Sequence, residues 1–279
     1  MPIIILKIEK PMEKRIHFNR SLAIALCLAL MTSGIFAQNE DFTPHSGQAG
    51  KDVVWVPTPQ ELVDAMLDMA KVTSADYVID LGSGDGRLVI TAAKRGAKAL
   101  GIEYNPNMVE LARRNAIKEG VTARATFNEA DLYESDFSEA TVLTLFLLSS
   151  INLKLRPTIL DMKPGTRVVS NNFDMGDWKP DQTKHLTESN IDWTTAHFWV
   201  VPAKVNGTWK LADGQIDFVQ EFQYITGTLS VGNEKIDISG KLDGNKISFF
   251  AGETEYSGVV NGNTISGALS KGGAWRATR

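Results

Sequence analysis

A glycine-rich turn carries the clearest chemical signal in the sequence. Gly82, Gly84 and Gly86 follow a hydrophobic run at residues 77–81 and precede residues 87–95, where hydrophobic side chains recur at helical spacing. This pattern predicts a strand, a tight turn and a helix. Glycine allows a positive φ and lets a ligand lie against the backbone, and the first turn of the helix presents unpaired N–H groups. The sequence therefore predicts a ligand-binding loop; a purely structural turn is the alternative.

The carboxylates around this turn indicate the charge of the ligand. Asp80 and Asp85 lie in or beside it. They would repel a pyrophosphate but attract a ligand with an amino group and a sulfonium. The glycine spacing is G-x-G-x-G, whereas NAD and FAD sites favour G-x-G-x-x-G. S-adenosylmethionine is a ligand that fits both observations.

Two further acidic residues follow the next strands of the predicted sheet. Glu103 ends a strand at residues 99–103, 23 positions after Asp80, where a βαβ unit places an acid that accepts hydrogen bonds from ribose hydroxyls. Asp131 follows a strand at residues 123–128 and is placed to accept the adenine amino group, unless it caps a helix instead. The residues predicted to bind the cofactor are Asp80, Gly82, Ser83, Gly84, Gly86, Glu103, Tyr104, Asp131 and Leu132.

These motifs resemble those of a known family. The run Asp80-Leu-Gly-Ser-Gly-Asp-Gly, followed by Gly101-Ile-Glu, resembles motif I and the acidic loop of class I S-adenosylmethionine-dependent methyltransferases. Over residues 53–201 the sequence is similar, more narrowly, to the bacterial relatives of the ATP synthase c-subunit lysine methyltransferase family. The motifs behind this second resemblance are Val56-Pro57, residues 80–87, Asp131-Leu132, Phe146-Leu147, residues 167–170, Phe173 and Trp178.

The resemblance implies a fold, a reaction and an acceptor. The fold is α/β, a Rossmann-like class I methyltransferase sheet with helices on both faces. The reaction is in-line methyl transfer from S-adenosylmethionine to a nucleophile, and the implied nucleophile is a protein lysine amine. Ser149, Ser150 and Asn152, after a predicted central strand at residues 141–148, are candidates to orient the acceptor, and no residue is assigned as a catalytic base. Relatives often carry a proline where this chain has Ser149-Ser150.

The first predicted helix, at residues 60–71, has an N-terminal capping signal. Thr58 is the predicted N-cap, with Pro59 at the first helical position and Glu61 at the third. The preceding residues 55–58 either cover the cofactor pocket or simply lead into a helix at the sheet edge. The remaining predicted elements of this region are helices at residues 105–119 and 153–162 and strands at residues 165–170 and 193–201.

The last quarter of the chain changes in composition. Glycine, asparagine and threonine increase, and residues 238–248 match residues 256–266 at an offset of 18 positions. Asp243-Gly244 and Asn261-Gly262 are dipeptides that favour two-residue hairpin turns. We predict that residues 205–279 form a separate small antiparallel β domain, a meander that is either a small barrel or a curved sheet, with a structural or partner-binding role.

The N-terminus has the pattern of an export signal. Five basic residues precede a hydrophobic run at residues 22–36, and Ala37 provides a small residue for cleavage. We predict a signal peptide at residues 1–37, export to the periplasm or cell envelope, and a linker at residues 38–52. An uncleaved segment that associates with the membrane is the alternative, although the run is short for a membrane span. Cys27, the only cysteine, lies in this segment.

Charge and histidine placement argue against two kinds of site. The formal net charge is −4, so nucleic acid is not an expected partner, because phosphate binding needs clustered cations. The four histidines lack ligand spacing, so no metal site is expected. The methyltransferase domain is predicted at residues 53–204. Two other functions stay open: a non-catalytic methyltransferase-like binding protein of the cell envelope, and an NAD-dependent oxidoreductase, which the glycine spacing disfavours.

Overall fold

The computed structural model describes residues 42–186 and 193–279. The predicted signal peptide at residues 1–37 and the first part of the predicted linker lie outside the described residues. Within the described ranges, no helix is long and hydrophobic enough to cross a membrane. Pro44–Arg279 forms one unit of contacts, which contains a sheet with helices and an antiparallel barrel.

The first domain contains a seven-stranded sheet. Its strands are β1 (Tyr77–Leu81), β2 (Lys98–Glu103), β3 (Ala125–Glu129), β4 (Val142–Leu145), β5 (Arg167–Asn171), β6 (Gln182–His185) and β7 (Thr195–Val200). Their order is β3-β2-β1-β4-β5-β7-β6, in which β1 to β5 run parallel and β6 and β7 run antiparallel to their neighbours. The strand order reverses between β1 and β4, and ligands of open α/β sheets bind beyond the carboxyl ends of the strands at such a point.

Helices cover both faces of this sheet. They are α1 (Gln60–Met69), α2 (Arg87–Lys94), α3 (Pro106–Lys118) and α4 (Ser149–Leu160). Successive side chains of a strand point to opposite faces. Val78 of β1 accordingly packs in the core with α1, α2 and α3, whereas Ile79 packs in the core with α4. The predicted α/β fold with helices on both faces is confirmed.

The capping box predicted for α1 is wrong. The N-cap position is Pro59, and no side chain caps the helix. Thr58 is buried, and its Oγ1 accepts a hydrogen bond from Asn171 Nδ2 at 3.3 Å. Its carbonyl oxygen accepts a bond from Arg87 Nη1 at 2.7 Å. Thr58 therefore joins α1 to β5 and α2, and these tertiary contacts replace the local cap.

The exit of β4 also differs from the prediction. β4 ends at Leu145, where its register partner Leu81 ends β1, so the run over residues 146–148 extends beyond the sheet. The following helix α4 begins at Ser149 and not at Leu153. The hydrophobic run that predicted one long strand therefore contains a short strand and a connection that faces the carboxyl edge.

The second domain is a closed antiparallel barrel. Its strands are β8 (Gly207–Lys210), β9 (Gly214–Glu221), β10 (Tyr224–Val231), β11 (Glu234–Asp243), β12 (Lys246–Ala251), β13 (Thr254–Asn261), β14 (Thr264–Leu269) and β15 (Ala274–Thr278). Each strand pairs with the next, and β15 pairs with β8 to close the barrel. Inward side chains such as Trp209, Phe218 and Phe249 fill the interior. The predicted separate antiparallel β domain is thus confirmed.

The side chain of Arg279 stabilises the closure of the barrel. Its guanidinium lies over the ring of Trp209, 4.6 Å from the ring centroid, and donates to the carbonyl oxygens of Lys204 (3.0 Å) and Asn206 (3.3 Å). Only one residue pair, Thr278 with Lys210, defines the register between β15 and β8. Side-chain contacts therefore supplement a short ladder at this joint.

The hairpin turns of the repeat lie one residue later than predicted. Asp243 pairs with Lys246, so Gly244-Asn245 is the two-residue loop of the first copy. The second copy has the same arrangement, with Gly262-Asn263 as its loop. The glycines have φ of +60° and +56°, a conformation that glycine adopts without strain. The first loop position requires glycine, and this requirement fixes the register.

The turn between β9 and β10 joins the barrel to the first domain. Phe222 stacks on Trp178, with 6.1 Å between the ring centroids. Gln223 Nε2 donates to the carbonyl oxygen of Lys179 at 2.9 Å, and Lys241 Nζ lies 2.8 Å from Asp181 Oδ1. Phe222 has φ of +52°, which is unusual for a residue with a side chain. The junction thus combines ring packing, a hydrogen bond and an ion pair.

Candidate functional site

A cavity lies at the carboxyl edge of the sheet. Its walls are the glycine turn after β1, the ends of β2 and β3, the connection from β4 to α4, and residues 48–58 from the N-terminal side. Eight of the nine residues predicted to bind the cofactor line this cavity: Asp80, Gly82, Ser83, Gly84, Glu103, Tyr104, Asp131 and Leu132. The exception is Gly86.

The glycine turn approaches its neighbours too closely for side chains. Gly82, Gly84 and Gly86 have φ of +78°, +53° and +83°. A Cβ on Gly84 would lie 2.5 Å from Trp55 Nε1, whereas a Cβ on Gly86 would lie 2.7 Å from the ring of Phe127. Gly84 therefore keeps the cavity open beside Trp55, and Gly86 allows α2 to pack closely on the sheet. Gly86 supports the site without lining it.

Asp80 is a buried carboxylate at the base of the turn. Thr144 Oγ1 donates to Asp80 Oδ1 at 2.7 Å. Burial raises the pKa of Asp80 to about 7, and the nearby charges of Glu103 and Asp85 act in the same direction. A cationic ligand would favour the ionised form of Asp80, because its positive charge would offset the cost of burying the carboxylate charge.

Glu103 is fixed at the end of β2. Its two carboxylate oxygens accept hydrogen bonds from the backbone N–H groups of Gly84 and Asn105, each at 2.9 Å. Each carboxylate oxygen has two lone pairs. The carboxylate is therefore held in place while retaining acceptor capacity, as binding of a ribose diol requires.

Asp131 has partners that the sequence did not predict. Its Oδ1 accepts from the N–H of Tyr133 at 2.9 Å, and its other oxygen forms an ion pair with Lys51. The hydrogen bond from Lys51 holds the pKa of Asp131 below its usual range. Lys51 Nζ also lies 4.8 Å from the ring centroid of Tyr104, whose ring is largely exposed. The ammonium of Lys51 thus contacts both Asp131 and Tyr104, two of the residues predicted to bind the cofactor.

Residues 48–58 form one wall of the cavity. Gln48 and Trp55 form an antiparallel bridge, in which Gly47 N–H donates to Trp55 O at 2.8 Å and Trp55 N–H donates to Gln48 O at 2.9 Å. Residues 55–58 therefore lie where the sequence predicted a cover. Residues 48–52, which the sequence assigned to a linker, also line the cavity. Trp55, Pro57 and Pro59, which follow these residues, were the sequence signal that this segment is part of the site.

Ser149, Ser150 and Asn152 do not line the cavity. Asn152 is buried on the other side of α4, where its Nδ2 donates to the carbonyl oxygens of Phe173 (3.1 Å) and Asp174 (3.3 Å). The structure therefore does not bring the three polar residues predicted to orient the acceptor into this cavity, and α4 begins four residues earlier than predicted. The residues that line the β4 exit are hydrophobic: Phe146, Leu147, Leu148, Ile151, Phe173 and Trp193.

S-adenosylmethionine matches the chemistry of these residues. The charged residues that line the cavity are five carboxylates and two cations: Asp52, Asp80, Asp85, Glu103, Asp131, Lys51 and Arg87. This excess of acid suits a ligand whose amino group and sulfonium are positive. Glu103 suits the ribose and Asp131 the adenine amino group, and the glycine turn after β1 lines the part of the cavity left for the amino acid group of the ligand.

Known proteins resemble this chain over about half of its length. The model of the ANTKMT methyltransferase domain matches residues 80–182. A protein-lysine N-methyltransferase of Saccharolobus islandicus is 45% identical over 145 residues, which cover 51% of this chain and 90% of that protein. The human lysine N-methyltransferase of the ATP synthase c-subunit is 33% identical over 144 residues, which cover 51% of this chain and 60% of that enzyme.

A solved structure agrees with these matches. A Salinibacter ruber protein, described as an RNA methyltransferase in complex with S-adenosyl-L-homocysteine, has 48% identity and a TM-score of 0.51, covering 54% of this chain and 96% of that one. Its bound product is the demethylated form of the cofactor predicted from the glycine turn. By its sheet order, its site and its similarity to these relatives, this chain belongs to the S-adenosylmethionine-dependent methyltransferases.

Proposed function

We propose that this methyltransferase transfers methyl groups to lysine side chains of a protein. The observation that carries the proposal is the charge of the cavity lining, which contains five carboxylates and two cations. Both cations are already paired, Lys51 with Asp131 and Arg87 with Asp85 at 2.5 Å. The unpaired charge that remains is negative. It favours an approaching ammonium and disfavours a phosphate backbone.

The order of the strands indicates where the acceptor enters. A ligand that places adenine at Asp131 after β3 and ribose at Glu103 after β2 reaches β1 with its amino acid part. The next strand, β4, would then lie beside the reacting part of the ligand. The β4 exit is lined by hydrophobic side chains such as Leu147 and Ile151. A lysine that enters there loses hydration, which lowers its pKa and favours the neutral amine that can attack.

The chain contributes orientation and exclusion of water to the transfer. When bound, S-adenosylmethionine supplies a methyl group activated by a sulfonium. Glu103, held by two backbone N–H groups, orients the ligand. Residues 48–58 cover it from the N-terminal side, and the hydrophobic β4 exit keeps water from the reacting nitrogen. With the cofactor bound, the amine would take the methyl group directly, so these residues would make no covalent bond to it.

The relatives support a lysine acceptor without being unanimous. The Saccharolobus and human proteins are lysine methyltransferases by name, whereas the Salinibacter protein is described as acting on RNA. The acidic lining and the formal net charge of −4 favour the first assignment. A non-catalytic binding protein is not favoured, because the residues expected to hold the cofactor are present in one cavity. The oxidoreductase alternative does not agree with the relatives.

Transfer of a radioactive methyl group tests the proposal. The full chain is incubated with tritium-labelled S-adenosylmethionine and a bacterial extract, and the protein and RNA fractions are separated. We expect label in methyllysine after hydrolysis of the protein fraction. Gly84→Arg should abolish labelling and cofactor binding, because its side chain would meet Trp55 at 2.5 Å. Gly120→Arg is the matched control, with φ of +68° and no atom within 4 Å of its Cβ. Label confined to RNA would refute the lysine assignment.

We also propose that the chain is exported, with support from the basic and hydrophobic pattern of residues 1–37 alone. These residues lie outside the described part of the structure. Sequencing the N-terminus of the protein isolated from the cell envelope tests this proposal. A first residue at Gln38 would support cleavage after Ala37, and recovery only from the cytoplasm would contradict export.

A further inference from the structure

We propose that Phe146, Phe173 and Trp193 form an aromatic wall that stabilises the positive charge which the acceptor nitrogen gains on methylation. This inference rests on the proposed lysine acceptor and assigns the residues that select it. The three rings come from separate segments: the β4 exit, the turn after β5 and the residues before β7. All three line the cavity at its hydrophobic end. At this end of the cavity, the three rings lie where the sequence predicted the side chains of Ser149, Ser150 and Asn152.

The rings form one continuous surface. Phe146 and Phe173 are stacked with 6.1 Å between centroids, and Trp193 meets them at 5.9 Å and 5.6 Å. At these distances the rings touch each other, so an ammonium would lie on the face of the wall and not between its members. Trp193 keeps 37% of its surface exposed, which leaves ring area available.

Two hydrogen bonds fix the backbone beside the rings of the aromatic wall. The buried amide of Asn152 bonds to the carbonyl oxygen of Phe173, and the N–H of Asn172 donates to the carbonyl oxygen of Thr195 at 2.7 Å. Trp193 has φ of +69° and Asn172 has φ of +60°. Positive φ in residues with side chains costs free energy and is concentrated at functional sites. The backbone next to Phe173 and Trp193 is thus held by hydrogen bonds in a conformation that is costly for residues with side chains.

Charge movement in the reaction explains why aromatic faces suit this place. The lone pair of the neutral amine forms the new carbon–nitrogen bond. The carbon–sulfur bond breaks with its electrons going to sulfur. Sulfur becomes neutral, nitrogen becomes a methylammonium, and a proton later leaves the nitrogen for solvent. Positive charge thus moves from sulfur to nitrogen at the surface of the wall, where the electron-rich ring faces stabilise it. A carboxylate there would hold the lysine protonated and unreactive.

A pair of matched peptides tests the assignment. One is Gly-Gly-Lys-Gly-Gly with a trimethylated lysine, and the other carries carbon in place of the quaternary nitrogen. The two side chains have the same shape but differ in charge. Each is titrated into the full chain saturated with S-adenosyl-L-homocysteine. We expect the charged peptide to bind about tenfold more tightly, within the range of cation–π interactions. Equal affinities, or no binding of either peptide, would overturn the assignment.

Variants of Trp193 separate charge recognition from simple packing. Trp193→Leu should remove most of the preference for the charged peptide, and Trp193→Phe should restore part of it. Phe250→Leu is the control, because Phe250 is an aromatic residue of the barrel with 53% of its surface exposed. The Kd for S-adenosyl-L-homocysteine should stay within about twofold in every variant. A preference that survives Trp193→Leu unchanged would contradict the role of Trp193.

The methyl-transfer assay distinguishes failure of this inference from failure of the lysine proposal. Labelled methyllysine together with equal peptide affinities would refute only the aromatic wall. Label in RNA that is lost in Trp193→Leu would refute both, and it would assign the wall to stacking of a nucleobase.

Discussion

At the scale of single residues, Asp80 couples the site to pH. Its pKa is raised from 3.8 to about 7 by burial, so the folded protein takes up a proton that the unfolded chain releases. The contribution of Asp80 to the free energy of unfolding therefore falls as the pH rises from about 4 through 7. A cationic ligand has the opposite preference, since it binds best when Asp80 is ionised.

We expect the affinity for S-adenosylmethionine to increase as the pH rises toward 7, by up to about tenfold per pH unit, and to level off above it. Asp80→Asn should bind more weakly at pH 8 and lose this dependence. The same variant without ligand should melt at a higher temperature than the wild type at pH 8, where the wild type carries a buried charge. Calorimetric titration and melting curves at pH 5, 6, 7 and 8 provide the measurement. The same pH dependence in Asp80→Asn and wild type would assign the titration to another group.

At the scale of elements, the N-terminal segment contacts the cofactor residues through Lys51. The ion pair of Lys51 with Asp131 and the Gln48–Trp55 bridge hold residues 48–58 over the cavity. The ion pair is partly exposed to solvent, so its contribution to stability is expected to be small. A contact of that strength can be exchanged without disturbing the rest of the fold.

Lys51→Met should therefore increase the dissociation rate of S-adenosyl-L-homocysteine by about two- to fivefold, the factor that corresponds to such a weak ion pair. Stopped-flow fluorescence of the tryptophans follows the release. Lys163→Met is the control, because it removes an exposed ion pair with Glu139 at 3.1 Å. If both variants release the ligand at the wild-type rate, the contact of Lys51 does not retain the cofactor.

At the scale of the whole molecule, the turn at Phe222 connects the barrel to the hydrophobic core of the sheet domain. The two domains otherwise have separate hydrophobic cores. Phe222 stacks on Trp178 and lies 5.3 Å from the guanidinium carbon of Arg156. Phe222→Ala should lower the free energy of unfolding by about 2 kcal/mol, a typical loss for a partly buried ring, and resolve two melting transitions by calorimetry. Phe250→Ala, in an exposed ring, should change stability by at most about 0.5 kcal/mol. A loss for Phe222→Ala as small as that of Phe250→Ala would contradict this role.

Much of this molecule could be predicted from its sequence where local rules and function agree. The glycine turn, Glu103 and Asp131 could be singled out because each chemical role needs one residue type at a fixed distance from a strand. In the structure they lie around one cavity, and their binding roles stay predictions. The cap of Thr58 and the orientation of Asn152 were missed, since tertiary hydrogen bonds decide both. Lys51 and the aromatic wall could not be predicted, because they join segments that are distant in sequence. The domain boundaries and the export signal remain predictions.

The closure of the barrel has a consequence for how the chain folds. The hairpins from β9 to β15 join neighbours in sequence, whereas Thr278 meets Lys210 only after an intervening loop of about seventy residues is closed, at an entropic cost. The joint at Arg279 is therefore expected to form last, and until then the outer edges of β8 and β15 present unpaired backbone groups. Such edges pair readily with other chains. The step at which this protein is most exposed to aggregation is thus the final joining of its barrel.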